Sequence, residues 1–195
     1  ENGVVIITGG PGTGKTTIVQ ALLKIYKTLF PEDKIGLVAP TGRAAKRLNE
    51  LTGISACTIH RLLKWDLHSN TFAMNEKNPL DIEVLVIDEF SMVDCLLLHR
   101  IFLAGKRIRK ILFIGDYHQL PSVAPGNVLH DLIAAGIKTI ELDEIFRQTK
   151  ESGIIQLAHH IINEQIDDTA SLFEQYPDIN FFSCPNYDVV KKIGR

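Results

Sequence analysis

The chain has 195 residues, enough for one large core, and 45% of them are hydrophobic against 23% charged, an ordinary balance for a soluble globular protein. With 21 basic and 23 acidic residues the net charge is −2, so the charge of the whole chain does not indicate a nucleic-acid partner, and any positively charged binding surface must be local. No apolar run could span a bilayer, no secretion signal is recognisable, and three scattered cysteines without a C-x-x-C motif indicate reduced thiols in a cytoplasmic protein.

Strands and helices are predicted to alternate along the chain. Short apolar, β-branched runs predict strands at residues 4–8, 35–39, 84–87, 111–114 and 139–142. Helical spacing of apolar residues predicts helices at 15–30, 43–52, 91–104, 128–135 and 154–163. This alternation predicts an α/β fold, a parallel sheet sandwiched by helices, with ligands at the carboxyl ends of the strands. Residues 169–183 break the alternation, and residues 180–183 are a candidate first strand of a second domain.

A glycine-rich loop follows the first predicted strand and fits G-x-x-x-x-G-K-[ST], the phosphate-binding loop of P-loop NTPases. Its glycines let successive backbone N–H groups point at phosphate oxygens, and the following helix N-terminus adds partial positive charge. Lys15 is expected to reach the β and γ phosphates of ATP, and the Thr16 hydroxyl to bind Mg²⁺. The alternative is a glycine-rich turn before an ordinary helix. The predicted nucleotide-binding residues are Gly10, Pro11, Gly12, Thr13, Gly14, Lys15, Thr16 and Thr17.

Two further motifs follow predicted strands. The apolar strand at 84–87 delivers two adjacent carboxylates, of which Asp88 is expected to hold Mg²⁺ and Glu89 to orient and deprotonate the attacking water. By itself such a pair is also typical of helix-capping charge. The strand at 111–114 leads into Gly-Asp and a loop carrying Gln119, whose amide suits the γ-phosphate or the attacking water. The alternative there is a plain turn with an exposed glutamine.

In this combination the chain resembles the superfamily 1 helicases, and three further segments narrow the resemblance to the RecD-like DNA helicases. These segments are Pro40-Thr41-Gly42-Arg43-Ala44-Ala45, Thr58-Ile59-His60 and Ile145-Phe146-Arg147-Gln148. The resemblance implies a RecA-like first motor domain at residues 1–165, with 166–195 as a linker or the start of a second motor domain. It also implies 5′–3′ movement on single-stranded DNA driven by ATP hydrolysis, and a phosphate-sensing role for Arg147.

The resemblance implies that two loops contact DNA. The first is Pro40, Thr41, Gly42 and Arg43, where Thr41 is a plausible N-cap and free helix amides suit a DNA phosphate. The second contains Thr58 and His60. The alternatives are a solvated basic helix face and a structural histidine. The densest basic run, residues 106–110, precedes a strand at the opposite edge, so we expect a solvated turn there.

Alternating residues on either side of a turn-like segment predict a small β-hairpin insertion at about residues 63–79. In RecD-like helicases an insertion here forms a pin that helps to split the duplex; packing of Trp65 and Phe72 on the domain is an equal alternative. We expect a fragment of a longer polypeptide, since the motifs of a second motor domain do not follow. Its partners are then the remaining helicase domains and proteins of recombination or repair. The rival functions are a non-helicase P-loop enzyme, such as a nucleotide kinase, and a nucleotide-gated DNA-binding module without turnover.

Overall fold

A computed structural model describes residues 3–143, residues 153–162 and Asp178. The chain divides into two compact units, Glu1–Glu144 and Ile145–Arg195. The predicted boundary at residue 165 stays a prediction, and the candidate strand at 180–183 lies outside the described residues. Within the described parts of both units, no helix combines the length and the apolar character that crossing a membrane requires.

The first unit is built on six parallel strands: β1 (Gly3–Gly9), β2 (Ile35–Ala39), β3 (Ala56–Thr58), β6 (Val84–Ile87), β7 (Lys110–Gly115) and β8 (Thr139–Leu142). Their order across the sheet is β3-β2-β6-β7-β1-β8. All five neighbouring pairs are parallel. The chain therefore crosses from β1 over two strand positions to reach β2, and the carboxyl ends of all six strands meet at one edge.

Helices cover both faces of the sheet, as the sequence predicts. They are α1 (Lys15–Leu29), α2 (Gly42–Thr52), α3 (Ile59–Leu62), α4 (Cys95–Ala104) and α5 (Val128–Ala134). Alternate strand residues point to opposite faces, so Ile6 packs in a cluster with residues of α3, α4 and α5, while Ile7 packs with residues of α1 and α2. The fold is thus an α/β RecA-like layer of helix, parallel sheet and helix. In the second unit, α6 spans Gly153–Ile162, close to its predicted bounds.

The predicted hairpin is present as β4 (Trp65–Asp66) paired antiparallel with β5 (Thr71–Phe72). Asp66 holds its turn, because its carboxylate accepts a hydrogen bond from the His68 backbone N–H at 3.0 Å. The rings of Trp65 and Phe72 lie 4.5 Å apart, and Phe72 packs against the core of the first unit. The hairpin is therefore anchored on the domain.

The structure corrects the sequence prediction in two places. The predicted helix at 91–104 is a 3-10 turn, Phe90–Met92, followed by α4, which begins only at Cys95. The break arises because the Asp94 carboxylate accepts from the Leu97 N–H at 2.8 Å and so caps α4. The second correction is that β3 and α3 were not predicted, since three and four residues are too short to show a period.

The basic run at residues 106–110 forms the predicted turn at the amino-terminal edge of the sheet. Arg107 pairs with Asp81 at 2.5 Å, and Arg109 pairs with Asp33 at 2.9 Å. The Lys110 ammonium lies 4.8 Å from the centre of the Tyr26 ring. These positive charges are therefore matched locally and lie at the edge opposite the glycine-rich loop.

Candidate nucleotide-binding site and neighbouring loops

The glycine-rich loop connects β1 directly to α1. Gly12 and Gly14 have φ angles of +79° and +78°, in the left-handed region that favours glycine. At Gly9 a side chain would place Cβ only 2.5 Å from the Leu142 carbonyl oxygen, so the loop also needs a glycine for close approach to β8. The first turn of α1 leaves N–H groups without intrahelical partners, and they face the space above the loop.

Side chains of the loop fold back onto it. The Lys15 ammonium donates to the carbonyl oxygens of Gly9 at 2.5 Å and Gly10 at 2.9 Å. The buried Thr13 hydroxyl donates to the Gly10 carbonyl at 2.9 Å. These bonds hold Lys15 over the mouth of the loop, where phosphate oxygens would replace the carbonyls as its partners.

Two carboxylates follow β6 and face the loop. Burial raises the pKa of Asp88, opposed by the hydrogen bond from the Glu89 N–H and by the Lys15 charge. Burial, then the Asp88 charge, raises the pKa of Glu89, while Lys15 lowers it. Burial lowers the pKa of Lys15, and Asp116, Glu89 and Asp88 oppose that shift. These mutual effects show that the predicted residues Lys15, Asp88 and Glu89 form one charged cluster.

Glu89 adopts an unusual backbone conformation. Its φ of +52° and ψ of +41° lie in the left-handed region, which is strained for a residue with a side chain. Glu89 directly precedes the 3-10 turn Phe90–Met92. The Phe90 ring is stacked on the Phe113 ring, with the two ring centroids 4.0 Å apart. Strain held by tight packing is typical of functional positions. The left-handed conformation turns the chain at Glu89 away from the direction of β6, at the sheet edge where Lys15 lies.

The third carboxylate of the cluster is Asp116, which sequence reasoning did not select. It is buried, 2% exposed, at the end of β7 and accepts from the His118 N–H at 3.0 Å. Asp116 is the strongest opposite charge acting on the pKa of Lys15 after burial. The sequence did contain a signal for Asp116, since this residue belongs to the Gly-Asp pair that follows a predicted strand. Gln119 lies three residues later on the same loop and is exposed.

A second cation at the cluster is Arg47, which the sequence suggested only as local positive charge for DNA. Burial dominates the pKa shifts of Lys15, Asp88 and Glu89, yet the Arg47 guanidinium lowers the pKa of all three. Arg47 lies on α2, and no sequence pattern reports that a residue of this helix faces the loop after β6. Arg147 lies outside the described residues.

The two predicted DNA loops are neighbours at the same edge of the sheet. Ala39 of β2 pairs with Thr58 of β3, so the loops after these strands begin side by side. Thr41 is confirmed as the N-cap of α2, since its hydroxyl accepts from the Ala44 N–H at 3.2 Å. Thr58 caps α3 by accepting from the Arg61 N–H at 3.2 Å. Two helix N-termini therefore open toward the same surface, next to the carboxylates after β6.

His60 is exposed and belongs to an aromatic cluster with the hairpin. Its ring centre lies 6.2 Å from that of Trp65 and 5.8 Å from that of Phe72. These rings line a cavity of about 660 Å³ between the hairpin and α4, together with Leu96 and Arg100. His60, which lines this cavity, follows Thr58 by two residues.

The site fits a magnesium nucleotide. Among the described residues, no group of three or more His, Cys, Asp and Glu side chains is placed to hold a metal ion. Mg²⁺ at phosphates needs only one or two protein oxygens, because phosphate and water complete its shell. Thr16, at the start of α1, and Asp88, after β6, are the oxygens available for it. Together the fold and this cluster define a P-loop NTPase domain.

Comparisons with known proteins narrow the family to which the chain belongs. A family model described as an AAA domain matches residues 1–125. The chain is 38% identical over 179 residues to the ATP-dependent RecD2 DNA helicase of Deinococcus radiodurans, covering 90% of this chain and 24% of the relative. It is 34% identical over 233 residues to the RecBCD enzyme subunit RecD of Haemophilus influenzae, covering 93% and 36%. The chain thus spans about a quarter to a third of these relatives' length.

Solved structures show the same fold. The Pif1 helicase from Candida albicans matches with a TM-score of 0.66 at 24% identity, over 95% of this chain and 46% of that chain. The Bacteroides sp Pif1 in complex with ADP-AlF4 matches with a TM-score of 0.52 at 25% identity, over 76% and 40%. The chain belongs to the AAA domain family whose model it matches, and over most of its length it is similar to RecD proteins.

Proposed function

We propose that this domain is the first motor domain of an ATP-dependent DNA helicase, coupling ATP hydrolysis to 5′–3′ movement on single-stranded DNA. One observation carries the proposal: the charged cluster of Lys15, Asp88 and Glu89 and the helix-capping loops at Thr41 and Thr58 open at the same sheet edge. The two relatives are named an ATP-dependent RecD2 DNA helicase and a RecBCD enzyme subunit RecD, which supports this proposal.

Each residue of the cluster has a distinct chemical role in the proposal. Lys15 exchanges its two loop carbonyl partners for β and γ phosphate oxygens. Thr16 and Asp88 would hold Mg²⁺, and the ion would supply positive charge at the phosphates. Glu89 accepts a proton from the attacking water, a task favoured by the burial that raises its pKa. Gln119 lies on an exposed loop from which its amide reports whether the γ-phosphate is present.

DNA is gripped through its backbone in this proposal. The N-termini of α2 and α3 offer N–H groups to phosphates, Arg43 adds charge, and His60 contributes imidazole contacts. A motor that steps along a strand benefits from phosphate contacts, because phosphates repeat while bases change. In this proposal the hairpin, which lies beside the cavity lined by His60 and Trp65, meets the duplex at a fork.

The activity of the whole protein needs segments beyond this chain. In the proposal, the remaining helicase domains complete the cleft for ATP and DNA. Within this chain, Arg147 senses phosphate. Recombination or repair proteins are the candidate partners. The isolated domain is therefore expected to bind both ligands weakly and to unwind little or nothing.

The decisive experiment measures ATP hydrolysis by the full-length protein with and without single-stranded DNA, beside unwinding of forks with either a 5′ or a 3′ tail. The proposal expects DNA-stimulated hydrolysis, loss of both activities in Lys15→Ala, and unwinding of the 5′-tailed substrate alone. Nucleotide binding without turnover would favour the gated DNA-binding module. Phosphoryl transfer to a nucleotide would favour the kinase, and unwinding from the 3′ tail would refute the direction.

A further inference from the structure

Arg47 is an exposed arginine that the proposed mechanism leaves unused. It lies on α2, and among the described residues 3–143 and 153–162 it makes no ion pair. Its neighbour Lys46 differs, since the Lys46 ammonium pairs with Glu50 at 3.9 Å on the same helix. An unpaired guanidinium retains all its donors for a ligand.

The position of α2 brings Arg47 to the nucleotide side of the sheet edge. β2 and β6 are neighbours, and the Asp88 N–H donates to the Val38 carbonyl at 2.9 Å. The helix α2 begins at Gly42, shortly after β2, so its first turn lies at the sheet edge where β6 also ends. It also packs against α1, whose first residue is Lys15. Arg47, in its second turn, is close enough to this edge for its charge to act on Lys15, Asp88 and Glu89.

Arg47 is the second cation at a cluster that contains three carboxylates. Asp88, Glu89 and Asp116 face Lys15, and Arg47 is the other cation that acts on Glu89 and Asp88. A γ-phosphate adds negative charge beside these carboxylates. A planar guanidinium can donate two parallel hydrogen bonds to phosphate oxygens, which a lysine cannot do.

We propose that Arg47 binds the γ-phosphate of ATP, so that one helix, α2, carries a DNA-binding N-terminus and a phosphate-binding residue one turn further on. The inference rests on the proposed function. Because α2 is a single rigid helix, a shift of Arg47 on phosphate release moves Thr41 and Gly42 with it. The helix therefore links the presence of the γ-phosphate to the grip on DNA.

The test compares nucleotides that differ in the γ-phosphate. The full-length protein and its Arg47→Ala, Arg47→Lys and Lys46→Ala variants are titrated with ADP and with a non-hydrolysable ATP analogue, by calorimetry. Arg47→Ala is expected to weaken the ATP analogue about 10- to 100-fold, the loss typical of a charge-assisted hydrogen bond, and ADP less than about 2-fold. Arg47→Lys should fall between, and Lys46→Ala should bind both nucleotides like the wild type.

Each outcome separates the alternatives. Equal losses for ADP and the ATP analogue, or no loss, would overturn the γ-phosphate contact. Loss of nucleotide-free affinity for oligo-dT with unchanged nucleotide binding would make Arg47 a DNA contact instead. If the wild type binds neither nucleotide, or if Lys15→Ala binds both normally, the proposed function itself fails, and the inference falls with it. As a folding control, the variants should have the melting temperature of the wild type, because the substituted positions are exposed on α2.

Discussion

Glu89 carries two energetic costs that a short series of substitutions can separate. The first cost is its left-handed backbone, with a φ of +52°. The second is its half-buried carboxylate, whose pKa is raised first by burial and then by the nearby charge of Asp88. Glu89→Gln removes the charge and leaves the backbone cost. Glu89→Ala removes the charge and the side chain, and Glu89→Gly also relieves the backbone.

The magnitudes follow from the backbone angle. A residue with a Cβ pays about 1–2 kcal/mol in the left-handed region, while glycine loses about 0.5–1 kcal/mol more entropy than alanine on folding. Glu89→Gly is therefore expected to be more stable than Glu89→Ala by about 0.5–1 kcal/mol. Glu89→Gln is expected to be more stable than the wild type at neutral pH, since no charge then faces Asp88.

Urea denaturation of the protein measures these differences, and phosphate release by the full-length protein measures activity. All three variants are expected to lose hydrolysis while retaining nucleotide affinity. Lys64 is a matched control, because its φ is also +52° but it lies in the hairpin region. Lys64→Gly should gain stability over Lys64→Ala and retain hydrolysis. Equal stability of Glu89→Gly and Glu89→Ala would refute strain at Glu89, and undiminished hydrolysis in Glu89→Gln would refute its role as the base.

Three further outcomes are expected. Lys15→Ala should weaken binding of a fluorescent ATP analogue by about 1.5–3 kcal/mol, because a charge-assisted bond to phosphate is lost; equal affinity would remove the nucleotide assignment of the loop. Arg43→Ala should weaken binding of oligo-dT and oligo-dA alike and make the slope of log affinity against log salt shallower by about 0.7, as measured by anisotropy at several salt concentrations. Lys46→Ala, the control, should have less effect. Loss of affinity for one of the two sequences alone would mean that Arg43 reads bases. Burial and the hydrogen bond to Asp33 raise the pKa of Tyr26 from 10.0 to about 12, so this contribution to stability is complete below pH 10 and is lost as the pH rises through 12. Urea midpoints of the wild type and Tyr26→Phe should therefore converge in that window; a constant difference would contradict the assignment.

Local features of the fold were readable from the sequence because each depends on neighbours along the chain. The glycine-rich loop between an apolar strand and a helix requires only consecutive residues, and the N-cap at Thr41 depends on a hydroxyl three residues before the N–H that it accepts from. The hairpin followed from alternation around Asp66 and its turn. Such signals survive in the sequence because hydrogen bonds and periodicity within one element hardly depend on the rest of the chain.

The tertiary structure alone decided which of these elements become neighbours. The order β3-β2-β6-β7-β1-β8 brings the residue after β6, Asp88, beside Lys15 after β1, although 73 positions separate them in the sequence numbering. It also brings Asp116 and Arg47 to the same cluster, which no local pattern reports. The three-residue β3 exists only because β2 offers it an edge to pair with. Electrostatic fields and sheet edges act through space, so their effects are defined only once the chain is folded.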